Sequence, residues 1–158
     1  MLKLRLANLN DTDRFARALA SVLRDGDVVL LDGEMGAGKT TMTKALAASL
    51  GVKDDVTSPT YTLVHTYTGD ALTLHHADLY RLKHTSEIED LGIDEMLAGG
   101  GVALIEWGAP AGPYFPEHLF VSFELAGADS RTVTIDSRTE TWVPRIAAIA
   151  EQLKDLVA

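Results

Sequence analysis

The nine residues GEMGAGKTT at positions 33–41 constrain this chain more than any other stretch. The apolar run VVLL at 28–31 lies just ahead of them, and MTKALAASL follows with helical spacing. Between that strand and that helix, Gly33, Gly38, Lys39 and Thr40 complete G-x-x-x-x-G-K-[ST], the phosphate-binding P-loop pattern. Glycines permit backbone angles at which successive N–H groups turn inward onto phosphate oxygens. Lys39 adds a mobile cation for the β- and γ-phosphates, and the helix it opens presents its positive end to them. Thr40 offers a hydroxyl to Mg²⁺, a cation that prefers hard oxygen ligands.

A strand that feeds such a loop belongs inside a parallel sheet, and the remaining pattern agrees. Asn10 or Asp11 can cap a helix carrying Phe15, Leu19, Val22 and Leu23 on one face and ending before Gly26. Val28 to Leu31 and Val102 to Ile105 are unbroken apolar runs, as expected of strands buried on both faces. Residues 39–50 read as a helix with Met42, Ala45, Leu46 and Leu50 inward. Residues 61–78, split at Thr68-Gly69-Asp70, read as a β-hairpin rich in Thr, Tyr and Val. A short acidic helix is expected over Glu87 to Leu97, then strands near 118–125 and 131–136. Ile146, Ile149, Leu153 and Leu156 define an amphipathic C-terminal helix. The expectation is one domain over residues 1–158, a three-layer α/β P-loop NTPase-like fold with a mixed parallel and antiparallel sheet.

Composition excludes several classes. There is no cysteine, hence no disulfide and no thiolate metal site. No apolar run approaches the roughly 20 residues a membrane helix needs. The opening MLKLRLANLND lacks the apolar core of a signal peptide, so a soluble, cytoplasmic protein is expected. A net charge of −9 argues against direct gripping of RNA or DNA, whose affinity comes mostly from neutralised phosphates. Arg14, Arg17 and Arg24 are the nearest approach to a basic patch, and read more simply as a solvated helix face.

A P-loop needs a carboxylate to steady Mg²⁺, normally at the end of a neighbouring apolar strand. GVALIEWG supplies Glu106 in that position, with Trp107 beside it as either a core aromatic or a cover over the site. In LHHADLYRL at 74–82, His76 and Asp78 share one strand face. Asp78 reads as a base or water-orienting group near the γ-phosphate, as an indirect Mg²⁺ ligand, or simply as a cap on the next turn. His65, His75, His76 and Asp78 could suggest zinc, but the spacing is not that of a ligand set. In TSPTY at 57–61, Thr60 is the hydroxyl that a switch loop would bring to the γ-phosphate; the plainer reading is a Ser-Pro turn.

Taken in order, GEMGAGKTT, TSPTYTLV, HADLYRL and IEWG resemble the TsaE (YjeE) family, from about residue 10 to 136. The resemblance implies a small mixed-sheet P-loop fold that hydrolyses ATP with Mg²⁺. It further implies action on a complex of TsaB and TsaD that makes N6-threonylcarbamoyladenosine (t6A) in tRNA, with tRNA touched only through the complex. It places Glu34, Met35, Gly36, Ala37, Gly38, Lys39, Thr40 and Thr41 around the phosphates, and Thr40 and Glu106 on Mg²⁺. Asp78 and Thr60 would serve hydrolysis with Lys39, and Trp107 would be functional rather than core. Thr12 and Arg131 match positions that contact the nucleotide in the family. His76 would shape the site rather than bind zinc.

Two other classes share a P-loop. A small-molecule kinase needs an acceptor pocket and usually an arginine-rich lid, whereas the arginines after the P-loop are scattered here. A nonenzymatic nucleotide-dependent binding module needs neither.

Overall fold

The computed structural model describes residues 1–34, 36–57 and 63–158. Among these, the chain runs through Leu2–Leu6 (β1), Leu9–Val22 (α1), Val28–Gly33 (β2), Lys39–Ser49 (α2), Val64–Thr68 (β3) and Thr73–Asp78 (β4). It continues through Glu87–Asp90 (α3), Ile93–Ala98 (α4), Val102–Glu106 (β5), Leu119–Leu125 (β6), Arg131–Asp136 (β7) and Val143–Gln152 (α5). Short 3₁₀ turns occupy Ala109–Tyr114, Glu140–Trp142 and Lys154–Leu156.

The two unbroken apolar runs become neighbours at the centre of one sheet. Strand order is β1-β7-β6-β2-β5-β4-β3, with β6, β2, β5 and β4 parallel and the flanking pairs antiparallel. Because side chains alternate along a strand, β2 feeds two cores. Val29 and Leu31 face Phe15 and Leu19 of α1, Met42 and Leu46 of α2, and Ile149 of α5. Val28 and Leu30, with Ala103 and Ile105 of β5, face Ile88, Ile93 and Phe115 on the other side. Helices on both faces make the expected three layers and mixed sheet.

Four local expectations change. The first is the cap of α1, which is Asn8 rather than Asn10 or Asp11. Asn8 Oδ1 accepts from the Asp11 N–H at 3.0 Å, while Asp11 Oδ2 accepts from the Ala7 N–H at 2.9 Å. The arrangement is a variant of the capping box in which the return bond goes to the residue before the cap rather than to the cap itself. Leu9 is 70% exposed, so no apolar periodicity marks the true start. Second, β1 forms where no element is expected, with Leu2, Leu4 and Leu6 buried in strict alternation. Third, the expected helix from Glu87 to Leu97 is broken, because Gly92 adopts φ 72° and ends α3 before α4 begins. Fourth, Arg24 lies beyond α1, and Arg14 pairs with Asp155 at 2.7 Å, so the three arginines form no common face.

The hairpin forms as β3 and β4, from Val64↔Ala77 to Thr68↔Thr73; Tyr61 and Thr62 lie outside the described residues. The C-terminal tail covers the free edge of β1 through a Leu4↔Val157 bridge and an Ala158 N–H to Lys3 carbonyl bond of 3.0 Å. No helix among the described residues is long and apolar enough to cross a membrane.

Candidate functional site

Parallel strands in an α/β sheet bring their C-terminal ends to one edge, where ligands bind. Register does the placing here. Leu31 of β2 pairs with Glu106 of β5, and Glu106 pairs in turn with Asp78 of β4. The loop after β2 therefore closes over two carboxylates from the neighbouring strands.

The loop needs its glycines. Gly33 has φ 138°, and a Cβ there would meet the Phe123 carbonyl oxygen of β6 at 2.5 Å. Gly38 has φ 115° at the first turn of α2, a left-handed angle that admits glycine without strain. A cavity of about 330 Å³ follows, lined by Gly36, Gly38, Lys39, Thr40 and Thr41 of the loop and helix. Asp78, Tyr80, Glu106, Trp107 and Arg131 complete its wall.

Lys39 is 5% exposed, and its Nζ donates to the Gly33 carbonyl and, at 3.0 Å, to that of Glu34. The same ammonium sits 3.8 Å from the centroid of the Trp107 ring, a cation–π contact. Trp107 stacks at a tilt on Tyr80, with centroids 5.0 Å apart. Trp107 has φ 56° and is the one non-glycine residue at positive φ among those described. Such strain in an aromatic residue persists only where the surroundings hold it, and it gathers at functional sites. Burial pushes the Lys39 ammonium below the ordinary lysine value, against the opposing pull of Asp32, Glu106 and Asp78.

Thr40 Oγ1 donates to Glu106 Oε1 at 3.0 Å, and His76 Nε2 lies 2.5 Å from Glu106 Oε2. The adjacent hydroxyl and carboxylate are hard oxygen donors from two elements, a set that suits Mg²⁺. Asp78 lies on the same edge. Burial first, and the neighbouring Glu106 charge second, push its carboxyl above the ordinary value, while the Tyr80 N–H, His76 and Lys39 act the other way. Its Oδ1 accepts from the Tyr80 N–H at 2.9 Å, so Asp78 caps the following turn and lines the cavity at once.

Of the residues expected from sequence, Lys39, Thr40, Asp78, Glu106 and Trp107 converge on this cavity, with Gly36, Gly38, Thr41 and Arg131. Arg131 reaches back to the loop, donating from Nε to the Ala37 carbonyl at 2.9 Å and from a terminal nitrogen to that of Gly36 at 3.4 Å. Glu34 faces solvent and contributes its carbonyl to Lys39, while Ala37 is fully buried. Thr12 sits buried in the first turn of α1 and does not line the cavity. Met35 and Thr60 lie outside the described residues. The histidines diverge, since His75 bonds Thr66 and Gly100 while His76 turns to Glu106. Tyr80 is the lining residue that sequence reasoning passed over. Its signal was an aromatic in the turn two positions after the strand-end carboxylate.

Comparison with known proteins agrees with this geometry. The chain is 42% identical over 134 residues to the tRNA threonylcarbamoyladenosine biosynthesis protein TsaE of Bacillus subtilis, covering 84% of each. It is 39% identical over 126 residues to the TsaE protein of Treponema pallidum, covering 79% of this chain and 93% of that one. The crystal structure of Bacillus subtilis YdiB superposes with a TM-score of 0.80 at 32% identity, covering 95% of this chain and 94% of the other. Residues 6–134 match the family described as threonylcarbamoyl adenosine biosynthesis protein TsaE, and with a phosphate-binding loop closed over two strand-end carboxylates, this chain belongs to that family.

Proposed function

We propose that this chain is a Mg²⁺-dependent ATPase that supports t6A formation in tRNA by acting on a TsaB–TsaD complex. The observation that carries this reading is the convergence of Lys39, the Thr40–Glu106 pair and Asp78 on one cavity. These are a phosphate-neutralising cation, a hard-oxygen cation site and a second carboxylate lining the cavity, the parts that nucleotide hydrolysis requires. The TsaE family and its relatives named for t6A biosynthesis supply the pathway.

ATP is the substrate. Its phosphates meet the backbone N–H groups that follow Gly33 and the N-terminus of α2. Their oxygens take Lys39 Nζ in place of the Gly33 and Glu34 carbonyls that hold it otherwise. Thr40 and Glu106 would hold Mg²⁺, which, when bound, neutralises charge on the transferring phosphoryl group. Asp78 orients the attacking water or takes its proton, and its raised carboxyl pKa favours a base at that position. Trp107 covers Lys39, with Tyr80 stacked on its ring, and helps keep bulk water away. Arg131 steadies the loop from behind and stands at the cavity wall, within reach of the nucleotide. Thr60 and Thr12 remain proposals from family resemblance, as hydrolytic and nucleotide contacts respectively.

The test is reconstitution. The chain is mixed with TsaB, TsaD, ATP, Mg²⁺ and tRNA, and t6A and free phosphate are followed over several turnovers. Multiple rounds of t6A that need this chain and its hydrolysis are expected. Turnover that depends on a small-molecule acceptor would point to a kinase, and no turnover with all partners present would point to a binding module.

A further inference from the structure

β4 carries two adjacent histidines with opposite fates. His75 uses both ring nitrogens, with Nδ1 at 3.0 Å from Thr66 Oγ1 and Nε2 at 3.1 Å from the Gly100 carbonyl. Such a residue is fully explained as structure. His76 is 0% exposed, and its Nδ1 has no hydrogen-bond partner among the described residues. Its only described bond runs from Nε2 to Glu106 Oε2, at 2.5 Å. A carboxylate oxygen can only accept, so Nε2 carries the proton of this bond. A buried polar atom left unpaired is costly and requires an explanation.

Glu106 provides it. P-loop hydrolases hold Mg²⁺ with the loop Ser/Thr and an aspartate at a strand end. Here the acid is a glutamate, one methylene longer and with one more rotating bond. Glu106 is 2% exposed, so packing and hydrogen bonds must fix that extra torsion. The two oxygens are divided: Oε1 faces Thr40 Oγ1 at 3.0 Å, and Oε2 is tied to His76. The strand register sets this up, because His76 and Asp78 share a face of β4 and Asp78 is paired with Glu106. We propose that His76 is a positioning residue that locks Glu106 Oε2 so that Oε1 and Thr40 Oγ1 stay aimed together at a divalent cation.

The inference rests on the Mg²⁺ reading above and is tested by binding rather than by turnover. Mg²⁺ is titrated into the full chain with a non-hydrolysable ATP analogue, and binding is read by calorimetry. His76→Phe keeps the ring and removes the donor. It is expected to raise the Mg²⁺ concentration for half-maximal binding about 10- to 100-fold, the usual effect of losing a group that orients a metal ligand. Affinity without Mg²⁺ should stay within a few-fold. His76→Gln places an amide N–H near the position of Nε2 and should restore the Mg²⁺ requirement to within a few-fold. His76→Asn falls short and should not, so this pair decides the matter even if the phenylalanine variant does not fold. In a Glu106→Gln background, His76→Phe should add nothing, since both changes remove one unit. Wild-type Mg²⁺ dependence in His76→Phe or His76→Asn, or full additivity with Glu106→Gln, would overturn the proposal alone. Wild-type binding that ignores Mg²⁺ would overturn the underlying metal reading.

Discussion

Two clusters of buried charge sit at different places in this molecule and are built on opposite terms. At the end of β2 opposite the P-loop, Arg145 of α5 is 7% exposed and meets Asp27 with two terminal nitrogens at 2.5 and 3.1 Å. The same guanidinium donates to the Val22 carbonyl at 3.0 Å and stacks 3.6 Å from the Trp142 ring centroid. Trp142 in turn donates its ring N–H to the Glu117 carbonyl at 3.0 Å. Every strong group there has a partner. At the P-loop edge the balance stays open: Lys39 and Asp78 both have charged forms disfavoured by burial, His76 has one ring nitrogen without a partner among the described residues, and Trp107 is held at φ 56°.

A buried ion pair with complete hydrogen bonding ties the chain together: here the C-terminal helix is fastened to the turn between α1 and β2. Its removal leaves an uncompensated charge. A site that must receive phosphates and a cation keeps unmatched charge in reserve, at a cost in stability. Removing a group there should harm binding or chemistry more than folding.

Lys39→Ala should abolish hydrolysis and strongly weaken Mg-ATP binding while the chain stays folded, because Arg131, the other cation lining the cavity, is tied to the Ala37 and Gly36 carbonyls of the loop. Wild-type affinity by calorimetry would end the P-loop assignment. Arg145→Ala should do the reverse, costing about 3–5 kcal/mol in chemical denaturation, the scale for breaking a buried pair from one side. Nucleotide affinity of the molecules that remain folded should be unchanged.

Asp78→Asn sharpens the comparison. It should lower kcat by roughly 10²-fold while leaving affinity within a few-fold, as for a lost base or positioning group. Modification of tRNA should then stall after about one round; parallel loss of affinity and rate would instead make Asp78 a direct metal ligand. The same variant should be slightly more stable than wild type without nucleotide. With its folded pKa raised, ionised Asp78 costs stability above that pKa, and the cost fades as pH falls toward the ordinary carboxylate value. The gain in melting temperature should therefore be largest near neutral pH and vanish in acid. The smallest effect belongs to the exposed Arg14–Asp155 pair, whose Asp155 carboxyl is held below its ordinary value chiefly by the Arg14 hydrogen bond. That contribution exists above the ordinary carboxylate pKa and is lost as pH falls through the lowered one. Asp155→Asn should shift the melting temperature barely measurably, and not at all in high salt.

Much of the site was legible because its members are either local in sequence or carry their own strand. Gly33 to Thr41 is one continuous motif, and Glu106 and Asp78 each end an apolar or alternating run. The cap at Asn8 and strand β1 escaped notice because Leu9 is exposed and five alternating residues look like an unstructured start. The break at Gly92 was hidden inside an acidic stretch with helical spacing on either side.

The chain's own order of residues determined the phosphate loop, the two buried strands beside it and the layering of helices, since each follows from short-range periodicity and backbone preference. Only the tertiary structure decided that β1 pairs with β7, that Arg131 returns to hold the Ala37 carbonyl, and that His76 reaches Glu106 rather than its neighbour's partners. Those contacts join residues about 30 to more than 90 positions apart. No local propensity encodes them; they exist because the strand order and register of the folded sheet bring distant side chains to the same edge.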